Sequence, residues 1–315
     1  MAPAIHVYHD SHAEWIADKV RKAAPQRRVV ALAGGQALRT AISEIEVLLA
    51  SEPPREGWGR ASELRLIQLM GVGAEMLLPS PDLPDHVEVA GLRGLFAPEV
   101  AEHAVAMLLA LTRNLHHWFG EQAARHFEQK PLPRLAAKSC LIVGLGEVGR
   151  RIARIAKAMD MRVVGVRKRE GPVANVDRVL APEGLDLALA EAEVVFIAVP
   201  RTAATTGLFD HRRLSLLPQG ALVINVARGG IVDERALESL LRDQHLGGAA
   251  LDVFDAEPLS ADSSLWTAPN LLITPHVAGF GEDYLERGLG VLADNVARLE
   301  EGAPLLHLID RPAGY

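Results

Sequence analysis

Short apolar runs alternate with amphipathic ones along the chain. In the first third, AIHVY, RVVALA, IEVLLA and LRLIQLM are apolar stretches of strand length, whereas AEWIADKVRKA spaces its apolar positions three and four apart. The first pattern predicts buried strands, and the second predicts a helix that lays one face on them. Strands apolar on both faces, interleaved with helices, belong to a parallel sheet covered on both sides. The proline-rich PSPDLPDH interrupts the series and reads as loop.

The stretch APEVAEHAVAMLLALTRNLHHWF is apolar around most of its circumference and predicts one long helix over 98–118, with Pro98 in its first turn. A helix that apolar is buried, in a core or against another subunit, and the second option predicts a homodimer. QKPLPRLAAK is a proline-interrupted connector. A second series of apolar runs follows: SCLIVGLG, MRVVGV, EVVFIAV, ALVINV, GAALDV and LLIT. The closing GEDYLERGLGVLADNVARLEEG has helical spacing and stops at Gly302. Two α/β units are predicted: 1–97, completed by 285–315, and 98–284 between them.

Composition sets bounds on this picture. With 315 residues, 49% hydrophobic and 23% charged, the chain is globular and long enough for two real cores. A net charge of -7 argues against nucleic acid as a partner, which needs a basic face. The single cysteine, Cys140, sits inside a strand run; it reads as a small core residue and rules out disulfides or thiolate clusters within the chain. MAPAIHVYHDSHAEW lacks the basic start and apolar run of a signal peptide, and even VAEHAVAMLLAL carries Glu102 and His103. A cytoplasmic protein without membrane partners is expected. His6, His9 and His12 recur every third residue but straddle a strand-to-helix junction, so surface histidines are expected there and no metal site. His116 and His117 are expected at the end of the long helix, facing its dipole. Trp118 and Trp266 read as packing residues.

Chemistry enters with a glycine fingerprint. Gly144-Leu145-Gly146-Glu147-Val148-Gly149 follows the apolar run Leu141–Val143 and precedes the helical RRIARIAKAM. Strand before and helix after is the context in which such glycines admit a dinucleotide pyrophosphate to a helix N-terminus. An acid at the end of the next strand would bind an unphosphorylated ribose. MRVVGV instead ends in Arg167-Lys168-Arg169, which predicts NADP(H) as the preferred cofactor, with NAD(H) possible.

Three later apolar runs each lead into a charged residue: Arg228 in VINVARGG, Glu257 in LDVFDAEPL and His276 in LLITPHVAG. Open α/β sheets bind ligands outside the carboxyl ends of their strands, so these residues are candidates for one catalytic group. An imidazole ordinarily suits proton transfer near neutral pH. A guanidinium is always charged and suits anchoring an anionic ligand.

These stretches resemble the D-isomer-specific 2-hydroxyacid dehydrogenases. The similarity runs over about 64–301 and takes in VAEHAVAMLLALTR, GLGEVGRRIA, VPRTAATTGLF, NVARGGIVDERALESLL, GGAALDVFDAEPL and LWTAPNLLITPHVAG. The ending IDRPAGY and the basic turn look most like the NADPH-preferring bacterial glyoxylate/hydroxypyruvate reductases. The resemblance implies a Rossmann dinucleotide-binding domain inserted into a smaller flavodoxin-like α/β substrate domain. It implies reduction of a small 2-keto acid to the (R)-2-hydroxy acid, with His276 as proton donor, Glu257 hydrogen-bonded to the other ring nitrogen and Arg228 anchoring the substrate. It also implies that Val199, Pro200, Thr205, Ala227, Arg228, Asp252, His276 and Gly279 line the cofactor, Asp252 holding its carboxamide. The amides of Val72 and Gly73 would bind the substrate carboxylate. The family usually has Asp where this chain has Glu75, so that loop is expected to be shaped differently. Two alternatives stay open. One is another dehydrogenase of the family, such as a phosphoglycerate dehydrogenase; formate dehydrogenases would put Gln at position 257. The other is a corepressor-like protein that senses NADP(H) without turnover.

Overall fold

The computed structural model describes residues 3–169, 171–312 and 314. Met1 and Ala2, and Ala313 and Tyr315 within IDRPAGY, lie outside the described residues. The chain divides into two compact units, Met1–Phe96 with Gly281–Tyr315, and Ala97–Phe280. The return to the first unit thus falls slightly before position 285.

The first unit opens with β1 (Ile5–His9), α1 (Ala13–Ala23), β2 (Val29–Ala33) and α2 (Gly34–Ala41). It continues with β3 (Val47–Ala50), β4 (Leu66–Leu69) and β5 (Glu88–Ala90). All pairings are parallel, in the order β2-β1-β3-β4-β5, which is the flavodoxin-like order. Side chains alternate across the sheet. Leu48, Ala50, Ile67 and Leu69 join one core, while Val47, Leu49 and Leu66 join the other. Burial on both faces is why these strands read as unbroken apolar runs. His6 shows the consequence: it is buried rather than on the surface as expected, because a strand covered on both sides has no wet face. Burial, with Arg28 nearby, holds its imidazole below the ordinary pKa.

The second unit starts with α3 (Ala97–Thr112) and α4 (Leu115–Ala123). The single helix expected over 98–118 is therefore two. Asn114 adopts the left-handed conformation, φ 54°, which asparagine tolerates better than most residues. His116 and His117 consequently stand in the first turn of α4, not at a helix end facing a negative pole. Then come β6 (Ser139–Val143), α5 (Glu147–Ala158), β7 (Arg162–Val166), β8 (Arg178–Leu180) and α6 (Leu185–Ala190). The unit closes with β9 (Val194–Ile197), α7 (His211–Leu214), β10 (Ala221–Asn225), α8 (Glu234–Arg242), β11 (Leu246–Leu251) and β12 (Leu271–Ile273).

These seven strands are parallel in the order β12-β11-β10-β9-β6-β7-β8. Counted from β6, that is the doubly wound Rossmann order with one strand added, and its direction reverses between β6 and β9. Leu141, Val143, Val195 and Ile197 pack on one face, and Cys140, Ile142, Val194 and Phe196 on the other. Cys140 is fully buried, and that burial pushes its thiol pKa up to about 12, so it is a core residue. Trp266, expected to pack, keeps half of its surface exposed.

The first unit is completed by α9 (Tyr284–Glu301), which ends at left-handed Gly302. Leu289, Leu292 and Val296 of α9 join the core of α1 and the sheet. Asn295 donates to the buried Gln68 of β4 at 2.8 Å, and the Tyr284 hydroxyl donates to the Met70 carbonyl. The first contact holds the strand itself, and the second reaches the residue that follows it. Among the described residues no helix is long and apolar enough to cross a membrane, and no cluster of potential metal ligands forms.

Candidate active site

At the end of β6 the chain turns through Gly144, φ 103°, where a Cβ would stand 2.4 Å from the Ala198 carbonyl oxygen. A Cβ on Gly149 would stand 1.9 Å from the carbonyl oxygen of Gly144. Only glycine fits at either place, and the result is close packing of α5 on β6. Gly146 caps α5 with no side-chain acceptor, and the space beside its Cα is open. The first N–H groups of α5 therefore face outward beside bare backbone, an arrangement that fits a dinucleotide pyrophosphate. Leu145 and Val148 point into packed surroundings, Leu145 against Gly165 of β7, so backbone is what they offer a ligand. Glu147 is exposed in the first turn.

The other cofactor candidates lie around this turn. Val199 and Pro200 follow β9, with Val199 against Gly144. The Thr205 hydroxyl donates to the Pro200 carbonyl at 2.6 Å and accepts from the Thr202 amide at 2.8 Å, closing that loop on itself. Arg167-Lys168-Arg169 follows β7, and Arg167 Nε donates to the Arg169 carbonyl.

Arg228 is held by its own strand end. Asn225, buried at the last position of β10, accepts from the Ala227 amide at 3.0 Å and donates to the Arg228 carbonyl at 3.2 Å. One Arg228 Nη donates to the Ala227 carbonyl at 2.8 Å. The next residues bond to the loop that carries Glu257: the Gly230 amide donates to Asp255 at 2.6 Å, and Asp255 in turn donates its amide to Glu234 at 2.7 Å. Glu257 accepts from the Phe254 amide at 2.9 Å through one oxygen and contacts His276 Nδ1 at 2.7 Å through the other. The structure thus brings Glu257 and His276 into direct contact and ties the Arg228 loop to the Glu257 loop. With Nδ1 engaged by a carboxylate, the Nε2 edge of the half-exposed His276 is turned to other partners.

His276 has φ 53°, a left-handed backbone state uncommon outside glycine that histidine adopts more readily than most residues. Its amide donates to the Asp252 carbonyl at 2.8 Å. The fully buried Asp252 carboxylate accepts from the Thr274 hydroxyl at 2.6 Å and from the Val277 and Ala278 amides, each at 3.0 Å. Gly279 follows directly. His103 on α3 contacts the Thr274 hydroxyl at 2.9 Å. Asp252 therefore clamps the loop bearing His276. Sequence reasoning missed His103, Thr274, Asn225, Asp255 and Glu234. Only His103, a polar residue on an apolar helix, and Asn225, one ending an apolar strand, left any trace in the pattern.

In the first unit, Val72 and Gly73 lie in the loop after β4, and Val72 is exposed. The Glu75 side chain folds over this loop, with one carboxylate oxygen 2.0 Å from where a Cβ on Gly73 would be. The Glu75 carbonyl accepts from Arg55 at 2.8 Å.

A family model described as the NAD-binding domain of D-isomer-specific 2-hydroxyacid dehydrogenases matches residues 105–278. The chain belongs to this family. Among curated relatives, the (S)-sulfolactate dehydrogenase of Chromohalobacter salexigens is 34% identical over 78% of this chain and 80% of that protein. A probable 2-hydroxyacid dehydrogenase of Rhizobium etli, solved with NADP, HEPES and L(+)-tartaric acid, superposes with a TM-score of 0.89 at 28% identity, covering all of both chains. An NADPH-dependent glyoxylate/hydroxypyruvate reductase of Sinorhizobium meliloti, solved with NADP and sulfate, gives 0.87 at 26% identity over 99% of this chain and all of that one. As a D-2-hydroxyacid dehydrogenase, the protein is an oxidoreductase that uses NAD(P).

Proposed function

We propose that this dehydrogenase uses NADPH to reduce small 2-keto acids, glyoxylate and hydroxypyruvate first among them, to (R)-2-hydroxy acids. The reading rests above all on the 2.7 Å contact between His276 Nδ1 and Glu257. That contact sets the tautomer and aim of the imidazole, leaving Nε2 to give its proton to the carbonyl oxygen. Arg228, permanently charged, holds the substrate carboxylate and stabilises the negative charge that grows on the oxygen. Hydride is what a bound reduced nicotinamide brings to such a site. In the reverse direction His276 Nε2 takes the hydroxyl proton. NADPH over NADH follows from the basic turn 167–169, which has no acid to accept a ribose hydroxyl.

Sulfopyruvate belongs on the substrate panel, because the relative from Chromohalobacter is named for (S)-sulfolactate. Its (S) label denotes the same spatial arrangement as the (R) label of glycerate, since the sulfur-bearing carbon outranks the carboxyl. Both products are thus consistent with hydride reaching one face of the keto acid. A homodimer in the cytoplasm completes the proposal. Leu109, Leu115 and Phe119, exposed on α3 and α4, support self-association.

The test is NADPH consumption by the purified protein with glyoxylate, hydroxypyruvate, sulfopyruvate and phosphohydroxypyruvate. Turnover with the first two, and a higher kcat/KM for NADPH than NADH, is expected; no consumption with any member of the panel sinks the reading. His276→Gln should lower turnover roughly 10²- to 10⁴-fold while NADPH still binds. Undiminished turnover would remove His276 as the proton donor.

A further inference from the structure

Arg150, Arg151 and Arg154 share one face of α5. With Glu147 and with Val173, Ala174 and Asn175 from the loop after β7, they line a shallow cavity of about 270 Å³. Three guanidiniums gathered in so small a space repel one another unless an anion lies among them or solvent screens them. In a chain with a formal charge of -7 this concentration of positive charge is local and specific. One turn further along the helix, Lys157 pairs with Asp177 at 2.9 Å. Among the described residues none of the three arginines forms such an ion pair, although the exposed Glu147 carboxylate lines the same cavity. Arg150 Nε donates to the Leu145 carbonyl at 3.1 Å, and Arg151 Nε is buried without a partner.

The position of the cavity narrows the choice of anion. Leu145 is the second residue of the glycine fingerprint, and 173–175 belong to the loop that begins with the basic turn. In a sheet of this order the adenosine ribose lies at the carboxyl end of the strand after the fingerprint helix, here β7. The α5 arginines flank that loop from the helix side. Arg167 has turned its Nε back onto the Arg169 carbonyl, so the basic turn does not direct that donor outward.

We propose that Arg150, Arg151 and Arg154 complete a site for a phosphomonoester dianion, carried on the 2′-oxygen of the cofactor's adenosine ribose. The site rests on the NADPH reading given above and extends it from the β7 turn to a second structural element. Guanidiniums suit the role because their paired N–H groups match phosphate oxygens and their charge does not titrate. The Asn175 side chain, at the rim of the cavity, adds a neutral donor.

Equilibrium titration of the whole protein with 2′,5′-ADP, 5′-ADP and inorganic phosphate tests this, using wild type, Arg151→Gln, Arg154→Gln and the double variant. Wild type should bind 2′,5′-ADP at least about ten times more tightly than 5′-ADP. Each substitution should weaken 2′,5′-ADP about ten-fold, flatten its salt dependence, and leave 5′-ADP within about two-fold. Arg154 is exposed, so its variant reports even if Arg151→Gln disturbs folding. Unchanged 2′,5′-ADP binding in the variants, with a loss in Arg167→Gln, would overturn the α5 site and leave the NADPH reading standing. Equal weakening of both nucleotides would overturn it as general electrostatics. Inorganic phosphate binding alongside 5′-ADP as tightly as 2′,5′-ADP binds alone would overturn it in favour of a free anion. Equal wild-type affinity for the two nucleotides would remove the NADPH reading and this site together.

Discussion

The carbonyl oxygen of Phe254 lies against Gly229, 1.8 Å from where a Cβ on that glycine would stand. The loops carrying Arg228 and Glu257 therefore meet backbone to backbone, and the 2.6 Å bond from the Gly230 amide to Asp255 fixes their register. No side chain fits between them. Gly229→Ala must separate the two loops, and a displacement of about 1 Å at reacting groups can lower rates about 10²-fold. Turnover is expected to fall by that order, with a lower urea midpoint. Wild-type kcat in this variant would mean that the register of the two loops is irrelevant to the chemistry.

Asp252 is the clamp of the neighbouring loop. Its buried carboxylate takes the Thr274 hydroxyl and two amides, so Asp252→Ala leaves three donors without their acceptor, the Ala278 amide among them buried. The expected loss is about 3 kcal/mol or more, read as a fall in the denaturant midpoint. Thr274→Val removes a single neutral donor and should cost about 1 kcal/mol. If the two variants unfold at the same denaturant concentration, the carboxylate is not what holds the loop.

Arg228, Glu257 and His276 were legible because each closes an apolar strand run, and parallel strands deliver their following residues to one sheet edge. The fingerprint was legible for the same reason, lying between a strand and a helix. The supporting contacts were not, because they join residues far apart in sequence: Asp252 to Ala278, Glu234 to Asp255, His103 to Thr274. No periodicity encodes such pairs. The helix break had a weak local sign in Asn114, overridden in the pattern by apolar residues on both sides. Polarity also misled at His6, since in a sheet covered on both faces burial follows position and not residue type.

Glu75 predicts a change in substrate affinity. Its carboxylate lies over Gly73, in the loop whose amides the family resemblance assigns to a substrate carboxylate. A substrate carboxylate brought to that loop meets the Glu75 charge and is repelled unless the side chain moves away. Glu75→Ala should lower KM for glyoxylate several-fold with little change in kcat, and Glu75→Gln should do part of this. An unchanged KM in both variants would place the bound carboxylate elsewhere.

Glu234 predicts how stability changes with pH. Partial burial, followed by the neighbouring charges of Asp255, Asp233 and Glu257, raises its carboxyl pKa above the ordinary glutamate value, although the Asp255 amide acts in the opposite sense. A group whose folded pKa is raised binds its proton more tightly when folded. Its stabilising contribution is therefore complete below the unfolded pKa and is lost as pH rises through the folded one. At neutral pH the ionised Glu234 thus weighs against the folded state. Glu234→Gln keeps an oxygen to accept the Asp255 amide, at 2.7 Å in the wild type, and removes the charge. The variant should have the higher urea midpoint at pH 7.5, and the difference should shrink as pH falls below the ordinary carboxylate range. A variant less stable than wild type at pH 7.5 would show that the charge-assisted bond to Asp255 outweighs desolvation and the neighbouring carboxylates.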